Sequence, residues 1–371
     1  MVKVRQSREL SLFNKILLWV NYVFVVCLLI SLSAKYISPQ LFWLIAFFGL
    51  AFPYLIILNL IFAIYWLSQF RREALLSLIM ILFCFFTVCR YAQISFNNKG
   101  SNNDVKVTSY NCMIFDLYNW SKNKQSRRNI LNSLQENNPD ILCLQEFYTS
   151  NRPDGLNNID TVLSVVNTKY YHAEYTTVPQ KQDFFGIATF SKYPILNKGK
   201  IIFNTRSNNI CIYTDLLIEK DTVRVYNMHL QSIGFSLKEY AFVGNLQDED
   251  DAKDELENSK NILRRLKKAF VKRAEQAEKV SSSIQNCHYK IILCGDFNDT
   301  PASYAYNLIS DNLKDAFMEK GNGFGRTYVG KFPSFRIDYV LHSKDIKGTK
   351  FTRSEETFTD HYPITAYFKV N

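Results

Sequence analysis

Three long apolar runs fill the first quarter of the chain, at about 13–33, 41–67 and 74–88, the last extendable to 93. Each is close to or above the ~20 residues that carry a helix across the hydrocarbon of a bilayer. They follow one another with connections of only a few residues, a pattern that predicts three transmembrane helices rather than three buried core helices. Beyond Asp104 the pattern changes. Short β-rich runs broken by turn residues succeed one another: VKVTSYN, DILCLQE, YYHAEYTTV, GIATFSKYPIL, NICIYTDLLI, VRVYNMHLQ, KIILCGDFN, FRIDYVLHS and ITAYFKV. Two helical periodicities interleave them. One covers about Ser126 to Glu136; the other covers about Asn261 to Ile284, where Ile262, Leu266, Phe270, Ala277, Val280 and Ile284 recur near the 3.6-residue period. Many strands with a few helices predict a two-layered β core flanked by helices. The polar stretch SFNNKGSNND, Ser95 to Asp104, reads as a linker. The chain thus divides into a membrane anchor (1–94), a linker (95–104) and an outer domain (105–371).

Charge refines this division. Lys3, Arg5 and Arg8 precede the first apolar run and Arg71 with Arg72 fill the second connection, whereas the first connection offers only Lys35. Basic ends stay on the cytoplasmic side, so three crossings leave everything after about Gln93 outside. SLSA near the end of the first run resembles a signal-peptide cleavage region, yet two further runs would still anchor the product. Of the net charge of +10, residues 1–98 carry +6, from eight Lys and Arg against two Asp and Glu, which leaves +4 for the remainder. Most of the basic excess is therefore topological, and charge gives little reason to expect nucleic acid. The acidic run Gln247 to Leu256 reads as a solvated loop or helix start. The basic run Leu263 to Arg273 reads as the polar face of a helix, with lipid headgroups as an alternative neighbour for that face. Eight cysteines complete the composition. Cys27, Cys84 and Cys89 lie in the apolar runs, Cys143 and Cys294 in strand patterns, and Cys112, Cys211 and Cys287 are scattered, so neither a zinc site nor a disulfide framework is suggested.

Candidate chemistry gathers at strand ends. The stretch IILCGDFNDTP begins as a buried strand and emerges into Asp296, Asn298 and Asp299. DILCLQE ends near Glu146, VRVYNMHLQS near His229 and Gln231, RIDYVLHS embeds Asp338, and FTDHYPI sets Asp360 beside His361. Taken singly, each has a plain structural explanation: a turn, a satisfied histidine, a hydrogen-bonded aspartate. Five such sites in one domain shift the weight from those explanations toward a cation or phosphate site.

The motifs YNCMIFD, LQEFY, FGIATFSKYPI, YNMHLQ, CGDFND, RIDYVL and TDHYPI stand in the order and approximate spacing of the endonuclease/exonuclease/phosphatase superfamily, which this chain resembles over nearly all of residues 105–371 and nowhere in the apolar segment. The resemblance implies a deoxyribonuclease I-like, four-layered α/β/β/α sandwich, here preceded by three transmembrane helices. It also implies hydrolysis of a phosphodiester or phosphomonoester by metal-assisted attack of water. Carried over motif by motif, Asn111, Glu146 and Asp360 would hold the divalent cation, Glu146 directly. Asp296 would orient and deprotonate the water or hold a second metal, and Asn298 would contact the scissile phosphate. Asp338 would fix the tautomer of His361, which contacts the phosphate. His229 resembles the histidine that deoxyribonuclease and sphingomyelinase members place on the phosphate, where abasic endonucleases carry a tyrosine. Mg²⁺ or Mn²⁺ suits such a site, because a hard cation takes oxygen ligands and neutralises the nonbridging oxygens of an anionic ester.

The expected protein is a membrane-anchored phosphoesterase of a bacterial inner membrane, with its catalytic domain on the extracytoplasmic side. Its substrate would be nucleic acid, a phospholipid head group or a soluble phosphate ester. Asn298-Asp299-Thr300 is formally a glycosylation acceptor inside the expected site, a conflict that a bacterial envelope avoids. A non-catalytic module that keeps the fold is the rival; lost metal ligands would mark it, and none is lost.

Overall fold

A computed structural model describes residues 10–95, 98–101, 103–203, 208–234, 252–330 and 335–370, with 252–256 and 258 as backbone only. The expected β core is two six-stranded sheets packed face to face. Sheet one runs, in spatial order, β13 (Lys347–Arg353), β14 (Ile364–Lys369), β2 (Val105–Asn111), β3 (Ile141–Ser150), β5 (Asp183–Ser191) and β4 (Tyr170–Thr177). Sheet two runs β10 (Leu313–Asp315), β12 (Asp338–Ser343), β9 (Lys290–Asp296), β8 (Asp221–His229), β7 (Ile210–Ile218) and β6 (Ile195–Ile201). Two-residue strands β1 (Ala92–Gln93) and β11 (Gly323–Phe324) pair separately. Central strands are apolar without alternation because both faces are covered. Ile141 and Cys143 of β3 face Val223, Val225, Ile292 and Cys294 between the sheets. Leu142 and Leu144 turn outward onto helices α7 (Ser126–Asn137) and α8 (Asn158–Val165), through Ile130, Leu134 and Val162. On the far side Leu293 and Tyr226 meet Ala277, Val280 and Ile284 of α9 (Ala252–Gln285). The result is the four-layered order helix, sheet, sheet, helix. The acidic run 247–256 lies largely outside the described residues.

The apolar segment departs from expectation. Helix α1 (Leu12–Ser33) alone is long and apolar enough to cross a membrane among the described residues. The second run is broken into α2 (Pro39–Phe42), α3 (Leu44–Leu50) and α4 (Phe52–Ser68), with a bend of 62° between α3 and α4. Pro53 explains the break: it sits in the first turn of α4, where its missing N–H costs nothing, and its ring cannot continue α3. The third run forms α5 (Ala74–Phe83) and, past Cys84, α6 (Phe85–Val88), each shorter than a span. So three straight spans are not formed. The helices are joined by polar side chains: Asn21 accepts from Trp66 Nε1 at 3.1 Å and donates to Ser77 at 2.7 Å. Asn14 donates to Gln69 at 3.4 Å, so α1 begins where α4 ends and the two run antiparallel. The polar stretch after it is not a free tether: Asn98 exchanges two hydrogen bonds with the Phe351 backbone, and Asp104 accepts from Thr349 at 2.6 Å. All eight cysteines are free.

Candidate active site

Register builds the site. Strands β8, β9 and β12 are neighbours, and Asp296 is paired with His229 on one side and Asp338 on the other. Three polar residues from three distant motifs therefore stand in one row at the end of sheet two. Sheet one supplies Asn111 at the end of β2 and Glu146 from β3. Period-two alternation would not by itself aim Glu146 at that row. A bulge between Leu144 and Phe147 does, with Glu146 in the left-handed region at φ 48°. Asn298 is likewise left-handed at φ 53°, and Met113 to Asp116 form four such residues in succession after Asn111. Glu146 of sheet one and Asn298, just past β9 of sheet two, are thus both held at the rim by a backbone conformation that L-residues seldom adopt. One residue below Glu146, Gln145 donates to Asn227 at 2.7 Å across the sandwich and so ties the two sheets together beneath the rim.

Asn111 donates to Asp296 at 3.0 Å and to Glu146 at 3.2 Å, so one amide joins the two acids. Asn298 donates its backbone N–H to Asp296 at 2.8 Å and its side-chain amide to Asp296 at 3.2 Å and Leu230 O at 3.0 Å. His361 Nδ1 lies 2.9 Å and 3.1 Å from the two Asp338 oxygens, while its Nε2 points toward Asp296 at 3.7 Å. His229 Nε2 lies 3.6 Å from both Glu146 and Asp296, is buried, and has no hydrogen-bond partner among the described residues. Glu146, Asp296, Asn298, Asp360 and His361 line one cavity of about 190 Å³. The eight residues singled out in the sequence therefore meet at one rim. Three others are not among those singled out. Thr327 Oγ1 accepts from Asp338 N at 3.1 Å, the ring of Tyr328 sits edge-on to His361 at 5.1 Å, and Thr359 accepts from His361 N at 3.0 Å while donating to Asn111 O at 3.2 Å. Only Thr359, next to Asp360, has an address the sequence could have suggested.

Electrostatics separates the acids. Burial pushes the Asp296 carboxyl above its ordinary value; Asp338 adds to the rise while His361 and His229 oppose it. Asp360 is raised by burial too, with Glu146 and Asp296 adding to it against the pull of His361. For His361 burial works downward, yet Asp338 and Asp296 outweigh it and hold the ring well above its ordinary range, hence protonated. Among the described residues the ion pairs of Glu146 and Asp296 are with histidines alone.

Such a donor set suits a divalent cation: several carboxylate oxygens, no thiol, and a net negative charge that buried groups do not tolerate alone. One donor atom each from Asp296, Asp338 and His361 lies within 4.8 Å of the others, close enough to share an ion. Asp338 already has both oxygens on the His361 ring, however, so this trio is better described as a carboxylate–imidazole pair beside Asp296. The oxygens still in need of positive charge are those of Glu146, Asp296 and Asp360.

Residues 109–361 match the model of the Endonuclease/Exonuclease/phosphatase family, and residues 14–91 match a Domain of unknown function (DUF8431). Among solved structures, an endonuclease/exonuclease/phosphatase from Beutenbergia cavernae is 15% identical with a TM-score of 0.51, covering 72% of this chain and 71% of that one. A mannosyl-6-phosphatase from Bacteroides thetaiotaomicron is 16% identical with a TM-score of 0.50, covering 71% and 99%. ANGEL2, described as a 2′,3′-cyclic phosphatase, is 18% identical with a TM-score of 0.50, covering 74% and 99%. At these identities the likeness is one of fold. No curated protein matches the chain.

Proposed function

The chain belongs to the endonuclease/exonuclease/phosphatase family, and from that premise we propose that it is a membrane-anchored, divalent-metal-dependent hydrolase of phosphate esters. The observation that carries the reading is the trio Glu146, Asp296 and Asp360, which shares one cavity and has no lysine or arginine partner among the described residues. Glu146, Asp360 and Asn111 would hold a cation such as Mg²⁺ or Mn²⁺, with Asp296 at their side. Bound there, it neutralises charge on the nonbridging oxygens of the ester.

The remaining work falls to the chain's own side chains. Asp296, its basicity raised by burial, orients the attacking water and takes its proton. His361, oriented by Asp338 through Nδ1–H and kept protonated beside it, presents Nε2–H to a phosphate oxygen and stabilises the charge that develops on it. His229 offers its unpartnered Nε2 to the same phosphate from the opposite strand. Asn298, fixed by Asp296 and Leu230, would contact the scissile phosphate by giving up one of these two amide hydrogen bonds.

In this reading residues 1–94 anchor the protein, 95–104 lead out and 105–371 are catalytic, a partition supported by the two family matches. Helix α1 serves as a membrane span of a bacterial inner membrane, and Lys3, Arg5 and Arg8 before it in the sequence favour the cytoplasmic side for its N-terminal end, which leaves the catalytic domain on the other side after one crossing. The test uses the full chain in detergent with bis(p-nitrophenyl) phosphate and Mg²⁺ or Mn²⁺. Turnover by the wild type and its loss in Asp296→Asn are expected; equal turnover by both would remove the assignment.

A further inference from the structure

The bend between α3 and α4 has a chemical use. It brings Leu50 into the wall of the cavity that holds Glu146, Asp296 and His361. The same wall contains Phe270, Phe335 and Ile337, all buried. The helices support it on both sides of the bend: Phe47 of α3 meets Phe270 edge-to-face at 5.1 Å, and Tyr54 of α4 meets Phe335 edge-to-face at 6.4 Å. Gly49 permits this approach, since a Cβ there would lie 2.9 Å from Ala34 Cβ and 3.3 Å from the Ala302 carbonyl oxygen. Beyond Tyr54 the apolar surface does not stop. Ile57, Ile61 and Ile64 continue it along α4 at helical spacing, each more than half exposed.

The other side of Glu146 is different. A second cavity of about 570 Å³ begins there, lined by Glu146 and His229 together with Gln231, Asn209 and Lys272. Lys272 donates to Gln231 at 3.3 Å and forms no ion pair in that contact. The acid cluster thus stands between an apolar wall that runs out onto the helices and a hollow of mixed lining, where Lys272, Gln231 and Asn209 lie with Tyr118, Pro179 and Phe185. A nucleic acid strand would have to lay its charged backbone against that wall; an amphiphile matches both sides at once.

We propose that the substrate is a phosphate ester carrying a long aliphatic chain, taken from the bilayer. Its phosphoryl group lies among Glu146, His229 and His361, its chain follows Leu50, Phe335 and Tyr54 onto the exposed stripe of α4, and its head group enters the Lys272 hollow. This rests on the phosphoesterase reading and adds the substrate class to it.

The test compares two soluble esters with one leaving group, p-nitrophenyl methyl phosphate and p-nitrophenyl octyl phosphate, below the micellar range, on the full chain in detergent. Removing seven more methylenes from water at the wall should raise kcat/KM for the octyl ester at least tenfold over the methyl ester, about a quarter of the full transfer effect in free energy. Leu50→Ser and, as a surface change that spares the core, Tyr54→Ser should each bring that ratio down severalfold. Vesicles of phosphatidylglycerol, sphingomyelin or a polyprenyl phosphate then identify the source of the chain, with single-stranded DNA and RNA run beside them. Faster turnover of one lipid than of either nucleic acid is expected. Equal turnover of the methyl and octyl esters, a ratio that both variants leave unmoved, or preference for nucleic acid would overturn the chain-bearing substrate alone. Absence of any turnover, the methyl ester included, would overturn the phosphoesterase reading beneath it.

Discussion

Two sets of acids occur in the domain formed by residues 105–371, and they are neutralised in opposite ways. Asp299 meets Arg273 Nε at 3.0 Å, and Asp315 takes both oxygens to Arg336 Nη2 at 2.5 Å and 2.7 Å. Each of these carboxylates has a guanidinium of its own, and Asp315 is completed by the Tyr306 hydroxyl at 2.7 Å and the Phe317 N–H at 2.9 Å. At the rim, Asp296 is as deeply buried, but its partners are two histidines and two amides. Glu146 and Asp360 share its cavity and its deficit of positive charge. The contrast teaches where a cation from solvent is needed: an arginine completes a structural pair, while its absence leaves coordination oxygens available.

The strongest way to sharpen that contrast is to neutralise one member of each set. Asp296→Asn should lower kcat/KM on bis(p-nitrophenyl) phosphate by a thousandfold or more, about 4 kcal/mol, while metal-free stability stays level or rises, because a buried carboxylate without a cation is removed. Asp315→Asn should do the reverse. It strands Arg336 in the core, at a cost of about 3–5 kcal/mol read from the urea midpoint, with turnover per folded molecule retained. Next in size, Asp338→Asn should lose about a hundredfold in turnover by releasing the His361 ring, with the metal response kept. Smaller again is the stabilisation by Mg²⁺ itself, about 2.7 kcal/mol at a hundred times its dissociation constant; EDTA should abolish it in the wild type, and Glu146→Gln should lack it from the start.

A last and smallest test uses two buried histidines. His361 is driven up by its carboxylates, whereas His172, with its Nδ1 on Thr214 at 2.9 Å, is pulled down to about 4 by burial, with Lys198 adding to the fall. Unfolded, His172 binds a proton near pH 6.5, so below that pH the unfolded state takes up more protons than the folded one. Stability should therefore fall as pH drops from 6.5 toward 4, by about 1 kcal/mol at pH 5.5. His172→Gln should flatten that slope in urea titrations across the range.

The sandwich was legible in the chain because doubly buried strands such as KIILC and DILCL leave continuous apolar runs, and because polar residues just past those runs can only sit at a rim. The row His229–Asp296–Asp338 follows from pairing register, which three separate motifs foreshadow but do not state. Other features depend on contacts between residues far apart in sequence. The bulge that turns Glu146 inward has no local glycine to signal it, and Thr327 and Tyr328 reach Asp338 and His361 from a segment with no motif. The apolar runs show the opposite failing. Pro53 is a plain local signal of a broken helix, outweighed by hydrophobicity when the run is taken as one span, and the break is what carries Leu50 to the cavity.

Everything in this account depends on the rim acids collecting a divalent cation that the arginine-paired acids do not need. Titration of Mn²⁺ into the metal-stripped full chain, followed by the loss of the free-ion paramagnetic resonance signal, measures this directly. Saturable binding by the wild type and by Asp315→Asn, abolished in Asp296→Asn and Glu146→Gln, is the predicted result. A wild type that binds no Mn²⁺, or rim variants that bind it as well as the wild type, would contradict the account.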